Sequence, residues 1–221
     1  MNKHVTSAGE DLFTERQRQV LDCALAVLVA GGEKAITTAK IAKSANCSKE
    51  SLYKWFGDRD GILSAMITHQ ASKVKVPAES AAIMRSLDEY RRDLNSFGIG
   101  LLTVLSGSTS LALNRLAIGQ SNSTASPLGD LLVARGRRMV RDRGKSLIER
   151  AKMAGHIRYD NADLANDTFY GLLVADGHVR MLLGERVSYM VEALDRERHV
   201  ERAVEQFLKL VGTQETIDQI N

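Results

Sequence analysis

The sequence predicts an all-α protein of about nine helices, and three observations carry that expectation. Only 2 of its 221 residues are Pro and 44% are hydrophobic, so little interrupts helix formation and a substantial core can be buried. Apolar residues recur at helical spacing along most of the chain. Ser, Thr or Asn precedes several of these runs and Gly follows them, as helix starts and stops require.

Thr14 and Gln17 have capping-box spacing, and the helix they open carries Val20, Leu21, Ala24, Leu25, Val27 and Leu28 on one stripe. Gly31-Gly32 stops it. The stretch Thr37 to Phe56, TTAKIAKSANCSKESLYKWF, then reads as two short helices joined by a tight turn. In the first, Ile41 and Ala42 face inward while Lys40 and Lys43 point to solvent. The turn falls at Ala45-Asn46-Cys47, where Asn46 takes the left-handed conformation at lower cost than most side chains. Ser48 caps the second helix, because its hydroxyl accepts a bond from an otherwise unpaired amide. Leu52 and Phe56 lie four apart and anchor that helix to a core. A short turn between two helices, the second basic and hydroxyl-rich, describes a helix-turn-helix. Gly57-Asp58-Arg59-Asp60 breaks the chain before another apolar helix, Ile62 to about Lys75.

The run from Arg16 to Ile67 resembles the DNA-binding domain of the TetR family of bacterial repressors. That family's pattern of Thr-x-x-Ile-Ala, a turn, Ser-Lys-x-x-Leu-Tyr-x-x-Phe and a basic residue is met by Thr38, Ile41, Ala42, Ser48, Lys49, Leu52, Tyr53, Phe56 and Arg59. Three positions depart from it: Asn46 replaces the usual turn Gly, Trp55 stands where His is common, and Arg59 replaces Lys. These leave the operator sequence open. The resemblance implies that the second helix enters the major groove of a double-stranded DNA operator. Lys49, Lys54, Tyr53 and Thr38 would mostly grip phosphates, while Ser48, Glu50, Ser51 and Trp55 face base edges or thymine methyls. Arg59 would fix the backbone of the same half-site. Charge placement agrees: residues 1–76 hold eleven Lys/Arg against eight Asp/Glu, and the remainder hold nineteen of each.

The implied layout is a flexible arm over 1–14, a DNA-binding domain with its connector helix over 15–76, and an effector-binding and dimerisation domain over 77–221. Past Pro77, Ser86 and Glu89 form a second capping box for a helix to about Ser106, and Ser108 to Gly119 form a shorter one. Ser126-Pro127 starts a helix that extends to Ala154, before Gly155. Asn161 caps a helix to about Gly184, and a last helix runs from Ser188 to Val211. Gly98 and Gly100 inside one helix serve either a cavity or a close helix crossing. The family's apolar effector pocket would take in Phe97, Leu101, Leu105, Leu116, Met139, Phe169 and Leu173. The basic run Ala134 to Lys145 reads as a solvated, acid-paired face, with a site for an acidic effector as the alternative. Wide apolar surfaces late in the chain point to a homodimer through Val179, Leu182, Met190, Leu194, Val204, Phe207, Leu208 and Val211.

Other chemistry finds no footing. The five His residues are scattered without metal-ligand spacing, and no nucleophile elbow, phosphate loop or paired carboxylates stand out. Neither cofactor nor catalysis is expected. Cys23 reads as a small buried hydrophobe, and Cys47 in the turn as a candidate redox sensor. No signal peptide or membrane-length apolar run occurs, so a cytoplasmic protein without membrane contact is expected. The expected function is a ligand-responsive, homodimeric repressor. The competing readings are a constitutive DNA-binding dimer with a filled core and a helical enzyme carrying a DNA-binding head.

Overall fold

The computed structural model describes residues 12–75, 86–120 and 128–220. The expected arm over 1–14 falls mostly outside them, as do the Pro77 boundary and the Ser126-Pro127 helix start. Helix α1 (Glu15–Gly31) opens on the capping box, with the Gln17 amide donating to Thr14 Oγ1 at 3.2 Å and the Thr14 amide to Gln17 Oε1 at 2.8 Å. All six expected stripe residues are buried. After a 3-10 turn (Glu33–Ala35) come α2 (Thr38–Ser44), α3 (Lys49–Phe56) and α4 (Arg59–Ser72). Thr37, Ser48 and Asp58 cap them, each accepting the amide of the third residue on.

Ser86 caps α5 (Leu87–Ser106), which meets α6 (Ser108–Gly119) at 61°. One continuous rod follows: α7 (Leu128–Leu131), a π-helical stretch (Leu132–Arg137) and α8 (Arg138–Met153). The rest comprises α9 (Ala162–Val174), α10 (Gly177–Leu182), α11 (Ser188–Val191), α12 (Ala193–Val211) and α13 (Gln214–Ile220).

Tertiary contacts divide two helices that the sequence pattern runs together. At Ala175 the backbone turns to φ 44°, and the Tyr189 hydroxyl donates to the Val174 carbonyl at 2.9 Å. At Glu192 the chain is extended, and Arg196 Nη2 reaches back to the Met190 carbonyl at 2.5 Å. Helix α13 has no counterpart among the expected elements. Thr216, 2% exposed, ties it down by donating its hydroxyl to the His156 carbonyl at 2.8 Å.

The elements enclose two cores. One gathers α1 to α4 with Leu113 and Ala117 of α6 and Leu128 of α7. The other builds around Tyr90, Phe169 and Phe207 from α5, α9 and α12. This corrects the expected dimer surface. Met190, Val204, Phe207 and Leu208 are no more than 2% exposed in the single chain, and the Phe169 and Phe207 rings lie 5.0 Å apart. The apolar stripe of α12 is already covered by α5 and α9. Leu182 and Val211 are half-buried, whereas Val179 and Leu194 stay exposed. The glycine alternative also resolves. A Cβ on Gly98 would lie 2.7 Å from Val200 and 2.8 Å from Leu173, so that glycine serves a helix crossing, while Gly100 faces open space.

Candidate nucleic-acid interface and interior cavity

Helices α2 and α3 are fixed from within by Ile41 and Leu52, both essentially inaccessible. Between them Asn46 adopts φ 46°, and the Cys47 amide donates to the Ala42 carbonyl at 3.0 Å, closing the end of α2. A residue from α1 locks the turn from outside. Arg16 Nη2 donates to the carbonyls of Ala45 at 2.8 Å and Asn46 at 2.9 Å. No local pattern announces this clamp, because its partners lie 29 and 30 residues away.

The outer surface around α3 carries Ser48, Lys49, Glu50, Tyr53 and Lys54, all exposed, flanked by Lys40, Lys43 and Arg59. Thr38, Ser51 and Trp55 are half-buried. The Ser48 hydroxyl accepts the Ser51 amide at 3.0 Å and lies 3.1 Å from the Ser51 hydroxyl, so it orders the helix start first. Bonds from its own backbone amide and from Ser48 hold the Glu50 carboxyl below the usual range. It is therefore an acceptor on this face, able to take a cytosine amino hydrogen. The Trp55 ring leans edge-on against Phe56, with centroids 6.2 Å apart and planes at 73°. Cys23 and Cys47 are free and half-buried, and burial pushes the Cys47 thiol up despite Arg16 nearby, which disfavours the thiolate that redox sensing needs.

A cavity of about 300 Å³ lies where the two cores meet. Phe97, Leu101, Leu105 and Phe169 line it, as do Ile67, Gln70 and Ala71 from the last turns of α4. Polar lining comes from Ser110, Asn114, Asn166, Tyr170 and His178, and the π-helical stretch adds Leu132, Val133, Gly136 and Arg137. Three residues expected there stand elsewhere. Leu116 packs on the first core, Leu173 is buried against the site of Gly98, and Met139 is half-buried outside the lining that its neighbours Arg138 and Val140 join.

The basic run divides by role. Arg141 Nη1 pairs with Asp167 at 2.8 Å and Lys145 with Asp163 at 3.2 Å. Arg143 is half-buried, and its Nη1 donates to the carbonyls of Ala71 and Val74, both at 2.8 Å, closing the C-terminal end of α4. Burial alone lowers its affinity for the proton. Among the described residues no group of His, Cys, Asp and Glu could hold a metal ion, and no single helix is long and apolar enough to cross a membrane.

Comparison with known proteins gives this architecture its place. Residues 20–66 match the model of bacterial regulatory proteins of the tetR family, and residues 92–212 match that of the AefR-like transcriptional repressor C-terminal domain. A crystal structure of a TetR transcriptional regulator from Agrobacterium tumefaciens is 50% identical, with a TM-score of 0.80 over 93% of this chain and 99% of its own. The chain belongs to the TetR family of bacterial transcriptional regulators. A TetR-family regulator from Mesorhizobium loti shares the fold at 21% identity, with a TM-score of 0.70 over 92% of this chain and all of that one. The HTH-type transcriptional regulator YvkB of Bacillus subtilis is 27% identical over 88 residues, 40% of this chain and less than half (44%) of that relative. The TetR-family assignment makes this a DNA-binding transcriptional regulator and not an enzyme.

Proposed function

We propose that this TetR-family regulator is a homodimeric repressor, released from a palindromic operator when a small molecule enters the interior cavity. Residues 15–76 would read DNA, with α4 as connector, and residues 77–221 would bind the effector and dimerise. The observation that supports this reading best is the double membership of α4. It begins at Arg59 beside the reading helix, and its last turns supply Ile67, Gln70 and Ala71 to the cavity wall. An occupant would therefore touch the element that orients the reading head. A constitutive DNA-binding dimer needs no such space, and a cavity of about 300 Å³ argues against it.

Dimerisation is proposed through the apolar residues that the chain leaves open on α9 to α12. Leu164, Val179, Leu183 and Leu194 are 67%, 58%, 83% and 67% exposed, an apolar surface that a single chain does not cover. Two copies would each present one α3 to successive major grooves, about 34–36 Å apart or a multiple of that spacing. Selection of bound duplexes from a random pool tests the reading. The expected product is an inverted repeat bound by two chains; recovery of a single unrepeated site bound by one chain would overturn it.

A further inference from the structure

We propose that the cavity takes a small, mostly apolar molecule bearing hydroxyl groups, which donates hydrogen bonds to Gln70 Oε1 and His178 Nδ1. This inference rests on the reading of the cavity as the effector site and names the chemistry it selects.

Two side chains that line the cavity each hold a buried polar atom without a hydrogen-bond partner: Gln70 Oε1 and His178 Nδ1. Gln70 as a whole is only 9% exposed. A buried polar group left unpaired costs about 1–3 kcal/mol, so each such group marks a bond that an occupant would complete. Both atoms accept. The amide oxygen has no hydrogen to give. A ring N–H of His178 is directed to the Leu105 backbone carbonyl, which leaves Nδ1 with its lone pair when the ring is neutral. Burial, reinforced by Arg137, pulls the His178 pKa down and keeps the ring neutral near pH 7. The matching ligand therefore brings donors.

Charge placement excludes the acidic class. Arg141 is paired with Asp167, and Arg137 and Arg138, which also line the cavity, are exposed to solvent, where their charge is screened. Among the described residues, none of the three arginines that line the cavity is buried, so none offers a carboxylate a desolvated charge. Besides Ser110, Asn114, Asn166 and Tyr170, the remaining wall is aromatic and aliphatic, chiefly Phe97, Leu101, Leu105 and Phe169. The volume of about 300 Å³ is at the lower end of the roughly 300–1,000 Å³ typical of ligand pockets, which favours a compact molecule.

Three probes of one shape test the proposal by calorimetry on the full-length protein: 4-phenylphenol, its methyl ether, and biphenyl-4-carboxylate. The phenol should bind at least tenfold more tightly than the ether, because a site with unpaired acceptors rejects an analogue without the donor. The phenol has one hydrogen to give, so one of Gln70→Met and His178→Phe, the variant that removes the acceptor it reaches, should shrink that ratio, and a ratio unchanged in both would overturn the assignment of the acceptors. Val140→Trp, which fills the cavity, should abolish binding of all three, with helical circular dichroism retained as the folding control. Equal affinity for phenol and ether, lost in Val140→Trp, would overturn the donor rule while the cavity stood as a ligand site. Preference for the carboxylate would overturn it in favour of an acidic class. Binding of the probes unaffected by Val140→Trp, or no binding at all, would remove the effector-site reading and this proposal with it.

Discussion

Substituting alanine separately at Gly98 and Gly100 should move stability in opposite directions, although the two glycines sit two residues apart on one helix. In a helix interior, replacing Gly with Ala gains about 1 kcal/mol, from backbone entropy lost to the unfolded chain. Gly100 should collect that gain in full, since its new Cβ meets nothing within 4 Å. At Gly98 the Cβ would lie 2.7 Å from Val200 Cγ1 and 2.8 Å from Leu173 Cδ2. Carbon pairs prefer about 3.5–4.0 Å, so the overlap approaches an ångström on two sides at once. Val200 is β-branched, both neighbours are fully buried, and neither can swing clear without moving α9 or α12. Overpacking of this kind costs about 1–3 kcal/mol, and two simultaneous clashes put it near the upper figure. The net expectation for Gly98→Ala is a loss of about 1–2 kcal/mol, and the two variants should differ by about 2–3 kcal/mol. For a chain of this size that separates their thermal midpoints by roughly 5–10 °C, read by circular dichroism or scanning calorimetry. If Gly98→Ala stabilises as much as Gly100→Ala, α5 and α12 do not cross closely, and the glycine belongs to a cavity wall after all.

Lys49→Ala should weaken binding to every DNA sequence and flatten its salt dependence; a dimer that loses two phosphate contacts lowers the log–log slope by about 1.8, and an unchanged slope would take Lys49 off the backbone. Val179→Glu with Leu183→Glu should convert a sedimenting dimer into a folded monomer, since an ionised carboxylate in a desolvated interface costs several kcal/mol, whereas Phe207→Glu should unfold the chain outright. A doubly substituted protein that still sediments as a dimer would move the interface elsewhere. Operator DNA should shift the fluorescence of Trp55, the only tryptophan, through the half of the ring left open beside Phe56. Flat emission on a binding-competent duplex would make Trp55 a purely packing residue.

The helix-turn-helix was legible because its determinants are local. Capping pairs three residues apart, an anchor pair four apart in Leu52 and Phe56, and one left-handed Asn are visible in a twenty-residue window. The C-terminal part was less so, for an equally physical reason. Hydrophobic periodicity tells which face of α12 is apolar but not what covers it, and the same chain covers Val204, Phe207 and Leu208. Periodicity likewise carries straight through Ala175 and Glu192, where hydrogen bonds from Tyr189 and Arg196 stop the helices. The clamps made by Arg16 and Arg143 join residues about 30 and 70 apart, and an arginine in a basic run looks the same whether it faces water or a helix end.

Arg143 bears on how the proposed release would work. A ligand shifts an equilibrium only by its differential affinity for two arrangements, so the cavity must change shape when the reading heads move. Helix α4 is anchored at both ends: Asp58 caps its start through Gly61, and Arg143 holds the Ala71 and Val74 carbonyls at its end. Its 14 residues span about 21 Å at the usual rise of 1.5 Å per residue, which makes it a stiff lever and not a spring. The π-helical stretch that packs along α4 is the softer partner. Its widened turn is the less regular part of the rod, and Gly136 brings it against Ile67 so closely that an added Cβ would lie 3.3 Å away. In the proposed release, an occupant drawn to Gln70 would press on the lever at one end and on this stretch at the other. Moving a population from 1:99 to 99:1 needs about 5.5 kcal/mol of differential binding, more than the hydrogen bond to Gln70 alone supplies. Most of the preference must then come from how the apolar wall fits the ligand, with the bond to Gln70 choosing which molecules apply it.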